Sequence, residues 1–148
     1  MKENKTFPNL TPCHCMNTRW VSREVSRFYQ NLFAQCGLNL TQYALLGYIK
    51  RCGPLTMNEL SQVSHLERTT LVRKLKSLQT EGFVCMYTSD ASRANLVAIA
   101  DKGRKILEQA DPYWSKAQES FRAQFDDVEW EYFVKILQKL SRINEQDS

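Results

Sequence analysis

The stretch Leu55–Gly103, LTMNELSQVSHLERTTLVRKLKSLQTEGFVCMYTSDASRANLVAIADKG, carries more of the topology than the rest of the chain. Thr56 to Ser64 has apolar residues at helical spacing, a break follows, and Glu67 to Thr80 is a second, basic helical segment. Phe83 to Ser89 and Asn95 to Ala100 alternate as strands on either side of the hydrophilic tip Ser89-Asp90-Ala91-Ser92-Arg93. Leu55-Thr56 supplies a minimal third strand. Two short helices followed by a two-stranded ribbon is the order of a winged helix-turn-helix, so the expected class is mainly α with a small β-wing.

Within the helix pair, Leu60, Val63, Leu71, Leu75 and Leu78 are spaced to pack one helix on the other, and Ser61 is small where the two must cross closely. His65 falls where the turn demands a left-handed residue, a conformation in which His is enriched among non-glycine residues. The second helix presents Arg68, Thr69, Thr70, Val72, Arg73, Lys74 and Lys76. Side chains in the first turn and a half of such a helix reach base edges in the major groove, where Arg grips guanine and Thr meets a base or a thymine methyl. Lys74 and Lys76 lie further along and suit phosphates, which position without reading sequence. Arg93, at the tip of the ribbon, suits the negative potential of a narrow minor groove. With Thr56 and Asn58 at the start of the first helix, these are the candidate DNA contacts. A solvated basic helix is the competing reading.

Outward from this segment, Thr11 as N-cap and Pro12 at the first helical position announce a long helix with the stripe Val21, Val25, Phe28 and Leu32, stopped by Gly37. A second helix runs from Thr41 to about Cys52, buries Tyr43, Leu46 and Ile49, and ends at Gly53-Pro54. After the ribbon, Asp101 caps a helix with Gly103, Ile106, Leu107 and Ala110; Pro112 marks a kink, and Trp114 to Phe125 continues it. Asp126 or Asp127 caps a last helix whose stripe is Phe133, Ile136, Leu137, Leu140 and Ile143. Because the first and last helices both carry apolar stripes beyond the winged unit, mutual burial across a two-fold axis predicts a homodimer. The organisation expected is one domain, 1–148, with dimerisation helices at about 11–36 and 101–145 flanking a DNA-binding part at about 41–100.

Composition agrees with one globular unit: 148 residues, 43% hydrophobic and 24% charged. From Lys50 to Lys105 there are ten Lys/Arg against five Asp/Glu, and elsewhere ten against eleven, so the basic excess sits in the middle. Met1 to Pro12 has no secretory apolar core, and no segment approaches a membrane span, which predicts a cytoplasmic protein with no membrane partner. Five cysteines, an odd number, argue for thiols rather than a disulfide framework. There is no His-Glu-x-x-His, glycine-rich phosphate loop or nucleophile elbow, so neither an enzyme nor a bound cofactor or metal is expected.

Gly37 to Tyr43, Leu55 to Leu60, Glu67 to Leu75, Glu81 to Val84, and Arg93 through Asp101-Lys102-Gly103, in this order and spacing, resemble the MarR family of transcriptional regulators. The resemblance implies a triangular dimer on a palindromic operator, with the helix Glu67 to Thr80 in the major groove and Arg93 at the minor groove. It also implies repression as the commoner outcome. The family's wing usually carries an Asp two residues before the Arg; here that residue is Ala91, and the nearest acid is Asp90.

The inducing signal centres on Pro12-Cys13-His14-Cys15. Both cysteines fall in the expected first turn, where the helix dipole and free N–H groups favour negative charge, and Arg19 lies one turn beyond Cys15. By position relative to Gln42, Cys15 resembles the reactive cysteine of the hydroperoxide-sensing, OhrR-like branch. Tyr29 matches a supporting tyrosine of that branch, while Leu40 and Arg19 replace others. Cys13 and Cys15 point about 200° apart on a helix, and Cys36 would lie roughly 31 Å along it, so a Cys15 disulfide must distort the helix or cross subunits. Redox sensing, inert packing and metal binding compete here; Cys-x-Cys is a poor zinc spacing. Cys36, Cys52 and Cys85 read as packing residues. The second candidate signal is a small aromatic or phenolic acid in a crevice lined by Trp20, Phe28, Tyr113 and Trp114, against the alternative that these aromatics are core. A winged helix for protein contact or nonspecific DNA binding is the remaining alternative.

Overall fold

Reciprocal caps start three of the helices. The computed structural model describes residues 11–145. The first helix, α1 (His14–Phe33), is followed by α2 (Leu40–Cys52), β1 (Leu55–Thr56), α3 (Met57–Ser64) and α4 (Arg68–Thr80); β2 (Val84–Thr88), β3 (Asn95–Ile99), α5 (Asp101–Arg122) and α6 (Asp127–Ser141) complete the order. At α2, α3 and α6 the caps Asn39, Thr56 and Asp126 each accept from the backbone N–H three residues on. The residues there, Gln42, Glu59 and Glu129, accept in return from the cap's own N–H.

Several expected boundaries move for local reasons. Thr11 does not cap α1: Asn17 accepts from its N–H at 2.9 Å and donates to its carbonyl at 2.8 Å. That exchange holds Thr11 and Pro12 ahead of the helix, so Cys13 becomes the N-cap and only Cys15 enters the first turn. The helix closes at Phe33, before Gly37, and Cys36 lies in the following turn rather than on the helix. Asp101 is the first helical residue of α5, not its cap, which is Ala100. One helix runs through Pro112 and ends at Arg122, so Phe125 lies in the corner before α6. Met1 to Leu10, on which most of the leader reading rests, and Gln146 to Ser148 lie outside the described residues.

The sheet is antiparallel in the order β1-β3-β2, with Leu55 and Met86 on either side of Val97. Val97 is fully buried, and around it close Leu45, Leu46 and Ile49 of α2, Leu60 of α3, and Leu71, Leu75 and Leu78 of α4. Phe33, Leu107 and Ala110 extend this core into α1 and α5. The start of α5 is pressed against the sheet: a Cβ on Gly103 would lie 2.1 Å from the Phe83 carbonyl oxygen, which already accepts from Ala100 N–H at 2.9 Å. Only glycine fits.

At the opposite end of α5, Phe121, Phe125, Trp130 and Phe133 form an aromatic corner that reaches Phe28 and Tyr29 of α1. Arg122 pins this corner, donating to the Phe125 carbonyl at 2.8 Å, pairing with Asp127 and lying over the Trp130 ring. Phe133 therefore belongs to its own chain's packing. Val128, Tyr132, Ile136, Leu140 and Ile143 remain exposed, and no residue of α6 is fully buried. Among the described residues no helix is long and apolar enough to cross a membrane.

Candidate nucleic-acid interface

The angle between α3 and α4 is set by two backbone devices. His65 ends α3 in the left-handed region at φ 54°, ψ 25°, as its place in the turn predicts. Ser61 Oγ then donates to the Leu66 carbonyl at 2.6 Å, holding the turn against α3. With Leu71, Leu75 and Leu78 buried, the 100° step of a helix turns Thr69, Arg73 and Lys76 directly outward. Arg68 and Val72 lie to one side of that stripe and are exposed; Thr70 and Lys74 flank the other and are half-buried. Glu67 caps α4 with no side-chain bond, so no side chain competes for the free N–H groups of the first turn.

The residues expected at the start of α3 divide in role. The Thr56 hydroxyl accepts from Glu59 N–H and donates to the Glu59 carboxylate at 2.8 Å, which ties it into the cap. These bonds from Thr56, backbone first, hold the Glu59 carboxyl below its ordinary pKa. Asn58 is exposed and accepts from Arg68 Nη1 at 3.0 Å.

The wing tip is built on its own hydrogen bonds. Ser89 N–H donates to the Ala94 carbonyl and Arg93 N–H to the Ser89 carbonyl, both at 2.8 Å. Thr88 Oγ1 donates to Asn95 Oδ1 at 2.9 Å. Arg93 occupies the left-handed region at φ 55° and is exposed. The ion pairs among the described residues join Arg27 to Glu24, Lys50 to Glu108 and Arg122 to Asp127. Arg93 thus has no acidic brace from Asp90, and the backbone of the tip fixes where its side chain begins. Between α4 and the wing lies a groove of about 350 Å³ bordered by Met57, Arg68, Val72, Gln79 and Met86. Sequence reasoning missed Met86 and Gln79; the register placing Met86 beside buried Val97 was the available signal.

The candidate sensor residues are dispersed. Cys13 and Cys15 are exposed at the start of α1, with Arg19 on the same helix four residues after Cys15. Cys36 is buried and donates to the Leu38 carbonyl, but Cys52 and Cys85 are exposed, contrary to the packing role expected of them. No group of three or more His, Cys, Asp or Glu placed to hold a metal occurs among the described residues.

The four aromatics expected to line one crevice do not share one. Trp114 stacks on Tyr43 at 6.1 Å and borders a cavity of about 290 Å³ with Gly47, Tyr48 and Arg51. Tyr113 faces a separate hollow with Asn31 and Gln35, Phe28 packs in the aromatic corner, and Trp20 is half-buried on α1. Tyr43 donates to Asp111 at 2.8 Å; burial first, then Asp111, raises its pKa above the usual phenol range. Tyr48 and Arg51 were not singled out in the sequence, and Tyr43 was read there only as a buried residue of α2, because aromatics on that helix follow the pattern of a core face.

A model of the MarR family matches residues 37–86, from the turn before α2 through α3 and α4 into the wing. The HTH-type transcriptional regulator YwoH of Bacillus subtilis is 28% identical over 68% of this chain and 73% of its own length. The transcriptional regulator MosR of Mycobacterium tuberculosis, solved in complex with DNA, is 29% identical with a TM-score of 0.78, covering 90% of this chain and 96% of its own. BpsR of Bordetella bronchiseptica, 16% identical, shares the fold at a TM-score of 0.80 over 90% of this chain and 96% of its own. The helix-turn-helix, the wing and these likenesses together support a MarR-family winged-helix regulator, and members of that family are transcriptional regulators and not enzymes.

Proposed function

We propose that this chain is a homodimeric, sequence-specific DNA-binding repressor acting in the cytoplasm, released from a palindromic operator by oxidation of an N-terminal cysteine. The observation that carries the DNA reading is the outward stripe of α4, Thr69, Arg73 and Lys76, set opposite its buried leucines, in a chain whose wing arginine is also exposed. MosR, 29% identical over nine-tenths of this chain, is a DNA complex, which supports the same partner. Thr69 and Arg73 then read base edges, and Val72 meets a thymine methyl. Thr70, Lys74, Lys76 and the free N–H groups of α4 hold phosphates, and Arg93 enters the minor groove. Thr56 contributes by fixing the start of α3. The test is anisotropy on the duplex upstream of its own gene: Arg73→Ala should weaken binding by about tenfold or more, the worth of a good bidentate base contact. An unchanged affinity would remove α4 as the reading element.

In this reading residues of about 41–100 bind DNA, and those of about 11–36 and 101–145 pair the subunits. The exposed stripe of α6 supports the pairing. Cys15 lies at the start of a pairing helix, in a first turn without acidic residues and with Arg19 nearby. An organic hydroperoxide transfers its terminal oxygen to the Cys15 thiolate, giving a sulfenic acid and the corresponding alcohol. A strained or inter-subunit disulfide with a second thiol, releasing water, then shifts the helices. Such a shift changes the spacing of two reading heads that must match half-sites about 34 Å apart. Cys15→Ser should abolish the oxidant response while leaving reduced binding intact. A full response in that variant would exclude Cys15.

The second reading replaces the oxidant with a small aromatic acid, and the stacked Trp114–Tyr43 pair with Arg51 beside it favours that reading. Quenching of tryptophan fluorescence by salicylate, reduced in Trp114→Phe, is its signature.

A further inference from the structure

The contact between Asn58 and Arg68 lies outside the core, and nothing in the packing requires it. Both residues are exposed, one near the start of α3 and the other opening α4, and Arg68 Nη1 donates to Asn58 Oδ1 at 3.0 Å. The angle between the two helices is fixed without them. His65 in the left-handed region, the Ser61 bond to the Leu66 carbonyl, and the buried Leu60 and Leu71 hold it. Removing Asn58 therefore leaves the helices in place and frees only the guanidinium.

A guanidinium is a flat fork of five N–H donors on a stem with several rotatable bonds. One bond from an Nη atom to a carboxamide oxygen mounted on a helix limits both the reach of the stem and the plane of the fork. The donors not used on Asn58 stay available for a phosphate or a base edge. Without that bond Arg68 is free to fold along the groove toward Val72 and Met86, which it borders together with Lys76. Asn58, for its part, has its acceptor turned to a neighbouring side chain rather than outward.

We propose that Asn58 is the positioning residue for Arg68: it presents the guanidinium at the start of α4 in one orientation and does not itself read DNA. This rests on the DNA-binding reading above. Ordering the side chain before binding removes part of the entropy that a loose arginine loses when it meets its target.

The test is a double-mutant cycle. Wild type, Asn58→Ala, Arg68→Ala and the double variant are titrated by anisotropy at one salt concentration. The probes are a labelled duplex enriched from randomised DNA by the wild-type protein and a scrambled duplex of the same composition. Asn58→Ala should weaken the enriched duplex by roughly fivefold, within the range of a typical intramolecular hydrogen bond. Made in the Arg68→Ala background, the same substitution should cost less than twofold, the signature of residues acting as a pair. All four proteins should share one urea midpoint, since the contact is exposed. An equal loss in both backgrounds would mean that Asn58 touches DNA itself, and no loss in either would mean that Arg68 needs no positioning; each overturns the proposal. If wild type fails to prefer any enriched duplex over the scrambled one, the DNA reading itself fails, and the positioning role falls with it.

Discussion

His65 and Arg93 are the two non-glycine residues with positive φ among the described residues, at 54° and 55°, and they mark the turn and the wing tip of the DNA-facing unit. A left-handed L-residue costs about 1–2 kcal/mol, part of which glycine returns as unfolded-state entropy. His65→Gly should accordingly raise unfolding stability by about 0.5 kcal/mol or somewhat more, measured by urea titration. Arg93→Gly should behave differently on its two axes: no loss of stability, yet weaker DNA binding and a salt slope shallower by about 1 if the arginine meets phosphate in or beside the groove. A variant that lost stability and kept its affinity would contradict that assignment. Glu59 supplies a pH test. Its carboxyl pKa is lowered in the fold by bonds from Thr56, so its contribution is fully present above the ordinary glutamate range. It fades as pH falls through the lowered value, and Glu59→Gln should flatten that acid limb of the stability curve. The left-handed His65 was legible, because a helix-turn-helix needs such a residue at that place. The left-handed Arg93 was not, since the hydrogen bonds of Ser89 that impose it depend on how the tip closes.

At the level of elements, the pattern from Leu55 to Gly103 foretold α3, α4 and all three strands to within a residue or two, because period and turn chemistry agree throughout it. The ends of the long helices were less legible. At α1 the side chain of Asn17, six residues downstream, engages the backbone N–H and carbonyl of Thr11 itself, an exchange invisible to a cap rule that looks three residues ahead. At α5, Asp101 satisfies the composition of a cap, but Ala100 is held by the Phe83 carbonyl and takes that place, so the helix begins at Asp101, one residue earlier than expected. That same carbonyl makes Gly103 the tightest joint between wing and long helix. Gly103→Ala would gain helix propensity in isolation, yet here it should destabilise by about 2–4 kcal/mol, because backbone must move to admit a methyl group. Chemical unfolding measures it, and a neutral result would mean that α5 sits further from the sheet than described.

On the scale of the whole molecule, the exposed face of α6 is the largest unexplained feature of a single chain. Ile136 and Leu140 are 53% and 43% exposed, beside Tyr132 and Ile143. The proposed dimer would bury this stripe between subunits. Replacing both Ile136 and Leu140 by Glu should give a monomer by sedimentation equilibrium. DNA affinity should fall with it, since each half-site would then be bound alone; a dimer that survived would move the pairing surface elsewhere. The stripe itself was legible from helical spacing, although Phe133 was not separable from it until the aromatic corner claimed that residue. The crevice was less legible. Trp20, Phe28, Tyr113 and Trp114 do not border one hollow, and even neighbours such as Tyr113 and Trp114 face different ones, because i, i+1 residues leave a helix about 100° apart. The account depends above all on sequence-specific DNA binding, and the measurement that tests it most directly is the affinity of the reduced protein for its own upstream duplex and for a scrambled duplex across a salt series. We predict a preference of about 100-fold or more for the upstream duplex, with both affinities falling as salt rises. Equal affinity for the two duplexes at every salt concentration would contradict it.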